Sequence, residues 1–345
     1  MSHLKCWSQA AMAVFLALPA AGQTFQVYPA PLLSMPAVAD SNSPVFWRDG
    51  AFYIINSTGE SRIAAVADQY SFDDAEWVGV GVDAADHFPM WIESVWQDVD
   101  GTLYAWYHHE RQGVCGDAGL TMPEIGALVS VDGGYNFFDL GIVLASGEDP
   151  DCSAKNGFFA GGHGDFSVIL DPAGGYFYFL FDNYGGPADS QGVAIARIAF
   201  EDRLNPVGAV WKFHNGAWEE PGIGGAVTPI LRAATPWSAA NPDAFWGPSI
   251  HWNSALHSYV MLMSHACCGP NWPQEGIYIS FNSDLSNPQG WSTPQKVLSG
   301  KEIGFSPGYY PQIIGVEYGE TDTLAGEVAR LYIKGVSRWE IVFQP

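Results

Sequence analysis

Acidic, imidazole and aromatic side chains recur at the two ends of short apolar segments in this 345-residue chain. The segments are preceded or begun by Asp40, Asn42, Glu93, His163, Asp165, Trp246, Tyr309 and Tyr310. They are ended or followed by His108, His109, Glu110, Asp182 and His265. Carboxylic acids and imidazoles transfer protons in enzyme reactions, and aromatic faces pack against the apolar faces of sugar rings. If these residues meet, they predict a site for sugar recognition and acid–base chemistry.

Each residue taken alone has a second explanation, because polar side chains also cap strand ends by hydrogen bonding to loop amides. The whole set favours a functional site, because ionisable groups concentrate in functional clefts. The residues can form one site only if the fold brings these strand ends together.

The apolar segments belong to a pattern that occurs five times. Each copy is a short apolar strand, a turn and a second strand rich in aromatic residues, and the copies span 43–53, 94–104, 166–178, 248–260 and 311–333. Recurrence at intervals of roughly 50–80 residues is typical of radial repetition in four-stranded blades. We therefore predict an all-β fold, a five-bladed β-propeller that forms a single domain over 23–345. In such a fold, the start of each first strand and the end of each second strand share one rim.

Composition agrees with many short strands joined by tight turns. Aromatic residues make up 14% of the chain and charged residues 15%, with 39 Gly and 23 Pro. This balance argues against a helical bundle and against a disordered chain. The formal net charge of −23 repels polyphosphates and anionic lipid surfaces, so neither nucleic acid nor a membrane is expected as a partner.

The N-terminus is typical of a secretion signal. Lys5 supplies a positive charge, residues 11–18 form an apolar run, and small residues at 19–22 offer a cleavage site. A membrane anchor is the alternative, but the run is much shorter than the ~20 residues that span a bilayer. We predict a signal peptide over 1–22 and a secreted or periplasmic protein.

Cleavage would remove Cys6 and leave Cys115, Cys152, Cys267 and Cys268. Four cysteines permit three pairings, and we favour Cys115–Cys152. The adjacent Cys267 and Cys268 form either a vicinal disulfide or two free thiols. A metal site is a further alternative, but no CxxC spacing supports it.

The repeats, the Asp before the first blade and the Asp that opens the third resemble the five-bladed propeller glycosidases of glycoside hydrolase family 43 and related invertase-type enzymes. The resemblance covers most of the chain as a pattern. It implies inverting cleavage of arabinans or xylans by an Asp base, an orienting Asp and a Glu acid. It implies no required cofactor, and it is compatible with a structural Ca²⁺.

Residue by residue, Asp40 matches the base, although three residues separate it from Pro44 where the family has Asp-Pro. Asp165 matches the orienting carboxylate. The family's Glu on the fourth blade is absent, because Trp246 precedes Gly247-Pro248. Glu93 is the replacement acid by position, since the neighbouring Trp91 could desolvate it and raise its pKa. Alternatively, Glu93 binds a sugar hydroxyl or an arginine.

We therefore predict hydrolysis of a plant or microbial poly- or oligosaccharide, with Asp40 as base, Glu93 as acid and Asp165 as the orienting group. The predicted sugar-binding residues are Asn42, Trp91, His108, His109, His163, Asp182, Trp246, His265, Tyr309 and Tyr310. Two alternatives stay open. One is a glycan-binding propeller without catalysis, which the Trp246 substitution would allow. The other is a metal-dependent lyase or esterase that uses the rim histidines, although no recognised spacing assigns its metal ligands.

Overall fold

The structure is a computed structural model that describes residues 24–345 apart from positions 117, 118, 172, 174 and 306. The predicted signal peptide over 1–22, including Lys5 and Cys6, lies outside the described residues. The described strands form five sheets. They are the blades of a five-bladed β-propeller, which confirms the predicted all-β fold.

The first strand, β1 (Thr24–Ser34), belongs to the last blade. Blade 1 contains β2 (Val45–Arg48), β3 (Ala51–Ser57), β4 (Ser61–Val66) and β5 (Val78–Gly79). Blade 2 contains β6 (Gly81–Val82), β7 (Met90–Gln97), β8 (Leu103–Arg111), β9 (Met122–Ser130) and β10 (Asn136–Leu144). Strand β6 runs parallel to β10 at the outer edge, and the other pairs in these two blades are antiparallel.

Blade 3 contains β11 (His163–Leu170), β12 (Tyr176–Asn183), β13 (Gly192–Ala199), β14 (Trp211–His214), β15 (Ala217–Pro221) and β16 (Leu231–Arg232). Blade 4 contains β17 (Asp243–Asn253), β18 (Ser258–Cys267), β19 (Gln274–Asn282) and β20 (Gln295–Ser299). Helix α1 (Gly300–Ile303) follows it. Short 3₁₀ turns lie at Phe72–Asp74, Ala85–His87, Phe200–Asp202 and Pro288–Gly290.

Blade 5 closes the ring. It is formed by β21 (Pro311–Gly315), β23 (Val328–Ile333), β24 (Val336–Gln344) and β1, while β22 (Leu324–Ala325) pairs with β17 of blade 4. The first and last strands of the described chain are thus hydrogen-bonded to each other, from Thr24 opposite Gln344 to Ser34 opposite Val336. The five sequence repeats are the first strand pairs of the five blades, and the first strands contact one another in sequence from blade 1 to blade 5.

An apolar cluster fills each interface between neighbouring blades. Between blades 2 and 3, for example, Trp106 packs against Phe177 and Phe179. Polar side chains connect the first strands near the axis. Ser43 and Gln312 exchange two hydrogen bonds between blades 1 and 5, at 2.7 and 2.8 Å. These contacts fix the blades relative to one another, so strand ends from different blades hold constant positions at the rim.

Two disulfides are present in the described chain. Cys115 and Cys152 are bonded at 2.08 Å and connect the loop after β8 to the segment before β11. Cys267 and Cys268 form a vicinal disulfide at the end of β18. Over the described residues, we find no helix with the length and apolar character required to cross a membrane.

Candidate functional site

A cavity of about 510 Å³ receives residues from all five blades. Three carboxylates line it: Asp40 before β2, Glu110 near the end of β8, and Asp165 in β11. Blade 4 contributes Trp246, and Tyr309 and Tyr310 come immediately before β21 of blade 5. Phe158, Phe159 and Trp272 add further aromatic surface from loops. The cavity therefore combines several ionisable groups with flat apolar walls.

The strand pairing is irregular near the start of the first strand in blades 2, 3 and 4, close to Glu93, Asp165 and Trp246. The ladder of β7 with β8 shifts register at Glu93, and that of β11 with β12 shifts at Asp165, whose φ is 39°. The ladder of β17 with β18 shifts between Trp246 and Ser249. A bulge leaves one residue without a ladder partner and redirects its side chain. Bulges in blades 2 and 3 thus turn Glu93 and Asp165 out of the regular alternation, and blade 4 has a longer irregularity over Gly247 and Pro248, directly after Trp246.

Asp165 is the most constrained carboxylate of the cavity, with only 3% of its surface exposed. The Tyr310 hydroxyl donates to its Oδ1 at 3.0 Å, and the Tyr184 hydroxyl donates to its Oδ2. Behind it, Asp182 accepts the Gly247 amide at 2.7 Å. Burial and the charge of Asp165 raise the pKa of Asp182 well above its usual value. The geometry suits Asp165 for orienting a neighbour and leaves Asp182 inside the protein.

Asp40 lies at the cavity in a largely buried position. Burial raises its pKa, and the charges of Asp165 and Glu110 raise it further, while Lys334 and His108 act in the opposite direction. The Lys334 ammonium lies 3.1 Å from the Tyr309 hydroxyl and 4.8 Å from the centre of its ring. Asp40 therefore keeps its proton to higher pH than an ordinary aspartic acid.

Three ionisable side chains form a row that leads from the protein interior to the cavity: Glu93, His108 and Glu110. His108 Nδ1 lies 3.3 Å from Glu93 Oε1, and His108 Nε2 lies 3.8 Å from Glu110 Oε1. Burial lowers the pKa of His108, but the hydrogen bond to Glu93 and the charges of Asp165, Glu93 and Glu110 outweigh it and raise the pKa to about 9. The Thr121 hydroxyl donates to Glu110 Oε2 at 3.0 Å. Glu110 thus has the His108 ring on one side and a hydroxyl donor on the other.

The position of Glu93 does not support its predicted role as an acid that faces the substrate. Its side chain is 1% exposed and is not among the described residues that line the cavity. Its Oε2 accepts the Phe166 amide of blade 3 at 2.8 Å, and burial raises its pKa to about 7 against the opposing effect of His108. The bulge at Glu93 turns it toward blade 3, so it connects two blades. Glu110, which shares its rim, reaches the cavity instead.

Three predicted sugar-binding residues, Trp246, Tyr309 and Tyr310, line the cavity. Three others lie behind the lining residues or in contact with them. Asn42 donates both amide protons to backbone carbonyls, those of Phe166 and Pro248, each at 3.0 Å. His108 contacts Glu110, and the Trp91 ring lies 5.5 Å from the His108 ring. Their positions favour support of the site over contact with a ligand.

The remaining three predicted histidines are not among the cavity-lining residues. His109 points to the opposite face of β8 from His108 and lies 5.5 Å from the His87 ring. His163 packs against Phe181, and burial lowers its pKa well below the usual value. His265 sits between Asp243 and Glu275, at 3.0 and 3.2 Å. Because successive side chains of a strand point to opposite faces, the sequence alone could have predicted that His108 and His109 do not share one site.

Sequence reasoning did not assign several residues of this site. Glu110 was among the rim residues but received no role, although its spacing of two from His108 puts both on one strand face. Phe158, Phe159 and Trp272 were missed because they lie in loops outside the repeated strand starts and ends. Tyr184 and Lys334 directly follow the second strands of blades 3 and 5, so extending the strand ends by one residue would have included them.

Glu93, His108 and Asp165 are close enough together to suggest a metal centre, with ligand atoms within 4.8 Å of one another. Their donor atoms are already engaged. Both Asp165 oxygens accept tyrosine hydroxyls, Glu93 accepts a backbone amide, and His108 Nδ1 lies 3.2 Å from the Asp165 amide nitrogen. Ca²⁺ takes six to eight oxygen ligands. These residues do not fit a calcium site.

No protein-family model matches the chain, and no curated protein matches its sequence. Among solved structures, an α-L-arabinofuranosidase from Lactobacillus brevis is similar, with 12% identity, 92% coverage of each chain and a TM-score of 0.55. A thermostable family-43 glycoside hydrolase has 14% identity and a TM-score of 0.52, over 90% of this chain and 92% of that one. These similarities confirm the predicted resemblance at the level of the fold.

An exo-β-1,3-galactanase from Phanerochaete chrysosporium also matches, with 13% identity and a TM-score of 0.49 over 91% of this chain. The present chain spans 64% of the length of that protein.

Proposed function

We propose that this protein is a glycoside hydrolase whose reaction takes place between Asp40 and Glu110. The observation that carries the proposal is that carboxylates from blades 1, 2 and 3 line one cavity with aromatic walls. Paired carboxylates with aromatic stacking surfaces are what acid–base cleavage of a glycosidic bond requires. The fold shared with a family-43 glycoside hydrolase and an arabinofuranosidase is compatible with this activity.

The surroundings of the two carboxylates differ. Asp40 has a raised pKa because of burial and the neighbouring charges of Asp165 and Glu110. Glu110 accepts the Thr121 hydroxyl at 3.0 Å, and its Oε1 lies 3.8 Å from His108 Nε2, so polar groups of the protein hold it in place at the cavity. We therefore assign Asp40 as the proton donor and Glu110 as the base that activates water. This reverses the role that the family resemblance implies for Asp40, and Asp165 keeps its orienting role.

The substrate is a plant or microbial poly- or oligosaccharide. The rings of Trp246, Tyr309 and Tyr310 offer stacking surfaces at the cavity, beside the carboxylates that accept hydrogen bonds from sugar hydroxyls. We propose inversion at the anomeric carbon, in which the base and the donor leave room for a water between them. Proton NMR of the first product formed from a cleaved glycan tests this: the anomer opposite to the substrate is expected, and retention contradicts it.

Two substitutions test the proposed roles. Asp40→Asn should lower cleavage of a natural glycan by about 10²–10⁴-fold but spare aryl glycosides with good leaving groups, which need no proton donor. Glu110→Gln should lower both activities to a similar extent. The measurement is kcat/KM on a screened glycan and on the matching nitrophenyl glycoside.

Glu124→Gln is the matched control, because Glu124 lies opposite His109, the residue next to Glu110, in the β8–β9 pair but forms an ion pair with Arg111 at 2.7 Å and does not line the cavity. It should retain the wild-type rate. Full activity in both Asp40→Asn and Glu110→Gln would refute the site. If instead Glu110→Gln spares the aryl glycoside and Asp40→Asn lowers both activities, then Glu110 is the proton donor and Asp40 is the base.

A glycan-binding protein without catalysis is the second candidate, and Trp246 is the observation that favours it. This ring lies at the position on blade 4 where the family resemblance places the acid. It contacts the Tyr309 ring in a tilted arrangement, with centroids 5.7 Å apart, and the Tyr310 ring edge-on, with centroids 5.4 Å apart. Titration calorimetry with a panel of plant and microbial glycans separates the candidates. Binding without release of reducing ends favours the second one.

We also propose that the protein is exported after removal of residues 1–22, on the basis of the charged, apolar and small-residue pattern there. Expression in a secreting host should yield extracellular or periplasmic protein that begins near residue 23. Mass spectrometry of the purified protein checks this expectation. An intact N-terminus on protein retained in the cytoplasm would contradict it.

A further inference from the structure

The Cys267–Cys268 disulfide stands at the base of a loop that forms part of the cavity wall. The Cys267 amide donates to the Pro273 carbonyl at 3.1 Å, which closes the loop between them. Asn271, Trp272, Pro273 and Gln274 line the cavity. The disulfide itself is not among the lining residues, so its effect on a ligand is exerted through the loop.

Three residues of this short loop have left-handed backbone conformations that L-residues seldom adopt. The φ angles are 115° at Cys268, 60° at Asn271 and 49° at Trp272. Each such residue costs free energy, and it persists only where surrounding contacts impose it. At Cys268, which is exposed, the covalent bond to Cys267 is such a constraint.

Trp272 connects this constrained loop to the aromatic wall. Its ring lies 4.4 Å from that of Trp237 and 5.4 Å from that of Trp246, measured between centroids. Gln274 joins the same groups, because its amide donates to the Trp272 carbonyl at 2.7 Å and its Oε1 accepts the Trp246 indole at 3.1 Å. A change in the loop would therefore move Trp272 and disturb Trp246.

We propose that the vicinal disulfide is a positioning element that holds Trp272 and Asn271 as a binding wall for a sugar ring in the cavity. This inference rests on the proposed glycan substrate, and it concerns binding and not proton transfer, since the loop carries none of the three cavity carboxylates. Loss of the disulfide is expected to raise KM about five- to tenfold and to leave kcat within about twofold.

The experiment compares the wild type with Cys267→Ser/Cys268→Ser and Cys115→Ser/Cys152→Ser, each with and without dithiothreitol. The dithiol reduces one disulfide to two thiols and becomes a cyclic disulfide. Reduction should raise KM and shift tryptophan emission in the wild type and in Cys115→Ser/Cys152→Ser. It should change neither quantity in Cys267→Ser/Cys268→Ser, which already has the altered values. Trp272→Phe should remove the reduction-dependent emission change and so identify its source.

The outcomes separate this inference from the proposed function. An active wild type whose KM and emission do not respond to loss of Cys267–Cys268 overturns the inference and leaves the hydrolase intact. A wild type that cleaves no glycan refutes the hydrolase, and the emission measurements still decide whether the disulfide positions Trp272. If the Cys267→Ser/Cys268→Ser protein does not fold, reduction of Cys115→Ser/Cys152→Ser makes the decision, because the vicinal bond is its one disulfide among the described residues.

Discussion

Asp165 shows how one residue can be held in place by contacts from two blades. The bulge of β11 gives it a φ of 39°, and the hydroxyls of Tyr184 and Tyr310 occupy its two oxygens. Tyr310 comes from the segment before blade 5, so the orientation of Asp165 depends on closure of the ring. Buried hydrogen bonds to a charged group are worth more than neutral ones, about 1.5–3 kcal/mol each.

Tyr310→Phe should therefore lower kcat about tenfold, because Asp165 loses a donor and no longer holds its position beside Asp40. Tyr309→Phe is the matched control, since the neighbouring hydroxyl contacts Lys334 at 3.1 Å. Steady-state kinetics on a cleaved glycan compare the two variants. Equal effects of both substitutions would show that the hydroxyl on Asp165 has no special role.

Glu93 differs from the cavity carboxylates because its contacts lie within the protein. Glu93→Gln replaces the carboxyl group beside the His108 ring with an amide and should lower the free energy of unfolding by on the order of 3 kcal/mol. The folded variant should show the same ratio of activity on the glycan to activity on the aryl glycoside as the wild type. Urea unfolding and kinetics on the glycan and aryl substrate pair measure both properties. If Glu93→Gln spares only the aryl substrate, then Glu93 is the proton donor after all.

At the scale of strands, the sequence predicted the hairpins well because their signals are local. Apolar runs such as Val45–Arg48 and turn residues such as Asp49-Gly50 specify a strand pair without knowledge of the rest of the chain. The side-chain direction at a bulge is not local. Glu93 and Asp165 both begin first strands, yet one turns toward blade 3 and the other lines the cavity. Loop residues such as Trp272 belong to no repeat, so the pattern could not place them.

The strands also bury ionisable groups that should affect stability. His251 of β17 is fully buried 5.5 Å from the Phe343 ring of blade 5, and neither ring nitrogen has a hydrogen-bond partner among the described residues. Burial lowers its pKa to about 3. Below pH 6.5 the unfolded chain binds a proton that the folded protein does not bind, so stability is lost as the pH falls from 6.5 toward 3.

His251→Leu should reduce this acid sensitivity. The difference in unfolding free energy between pH 7 and pH 5 should become smaller by about 2 kcal/mol, since the substitution removes the group that titrates only when unfolded. Urea denaturation at the two pH values provides the measurement. His257→Asn, an exposed change in the same blade at a φ of 49° that Asn tolerates, serves as the control. Identical pH slopes for wild type and His251→Leu would contradict the expectation.

At the scale of the whole molecule, the cavity depends on closure of a ring that begins and ends in blade 5. Strand β1 supplies the outer strand of that blade, and its Phe25 and Val27 pack against the apolar cluster between blades 4 and 5. The Arg330 guanidinium adds a hydrogen bond to the Pro31 carbonyl at 2.6 Å. Because Tyr309 and Tyr310 precede the first strand of this blade, we expect the N-terminal strand to influence both stability and the site.

Val27→Asp tests the closure with little change elsewhere. It places a charge on the half-buried face of β1, against apolar neighbours, and should lower the free energy of unfolding by about 1–3 kcal/mol. Gln26→Asp, the adjacent residue on the exposed face, introduces the same charge and should change stability by no more than about 0.5 kcal/mol. Urea unfolding followed by tryptophan fluorescence compares them. Equal free energies of unfolding for the two variants would mean that packing of β1 on blade 5 does not stabilise the protein. The ring would then be held closed by the contacts between the other blades.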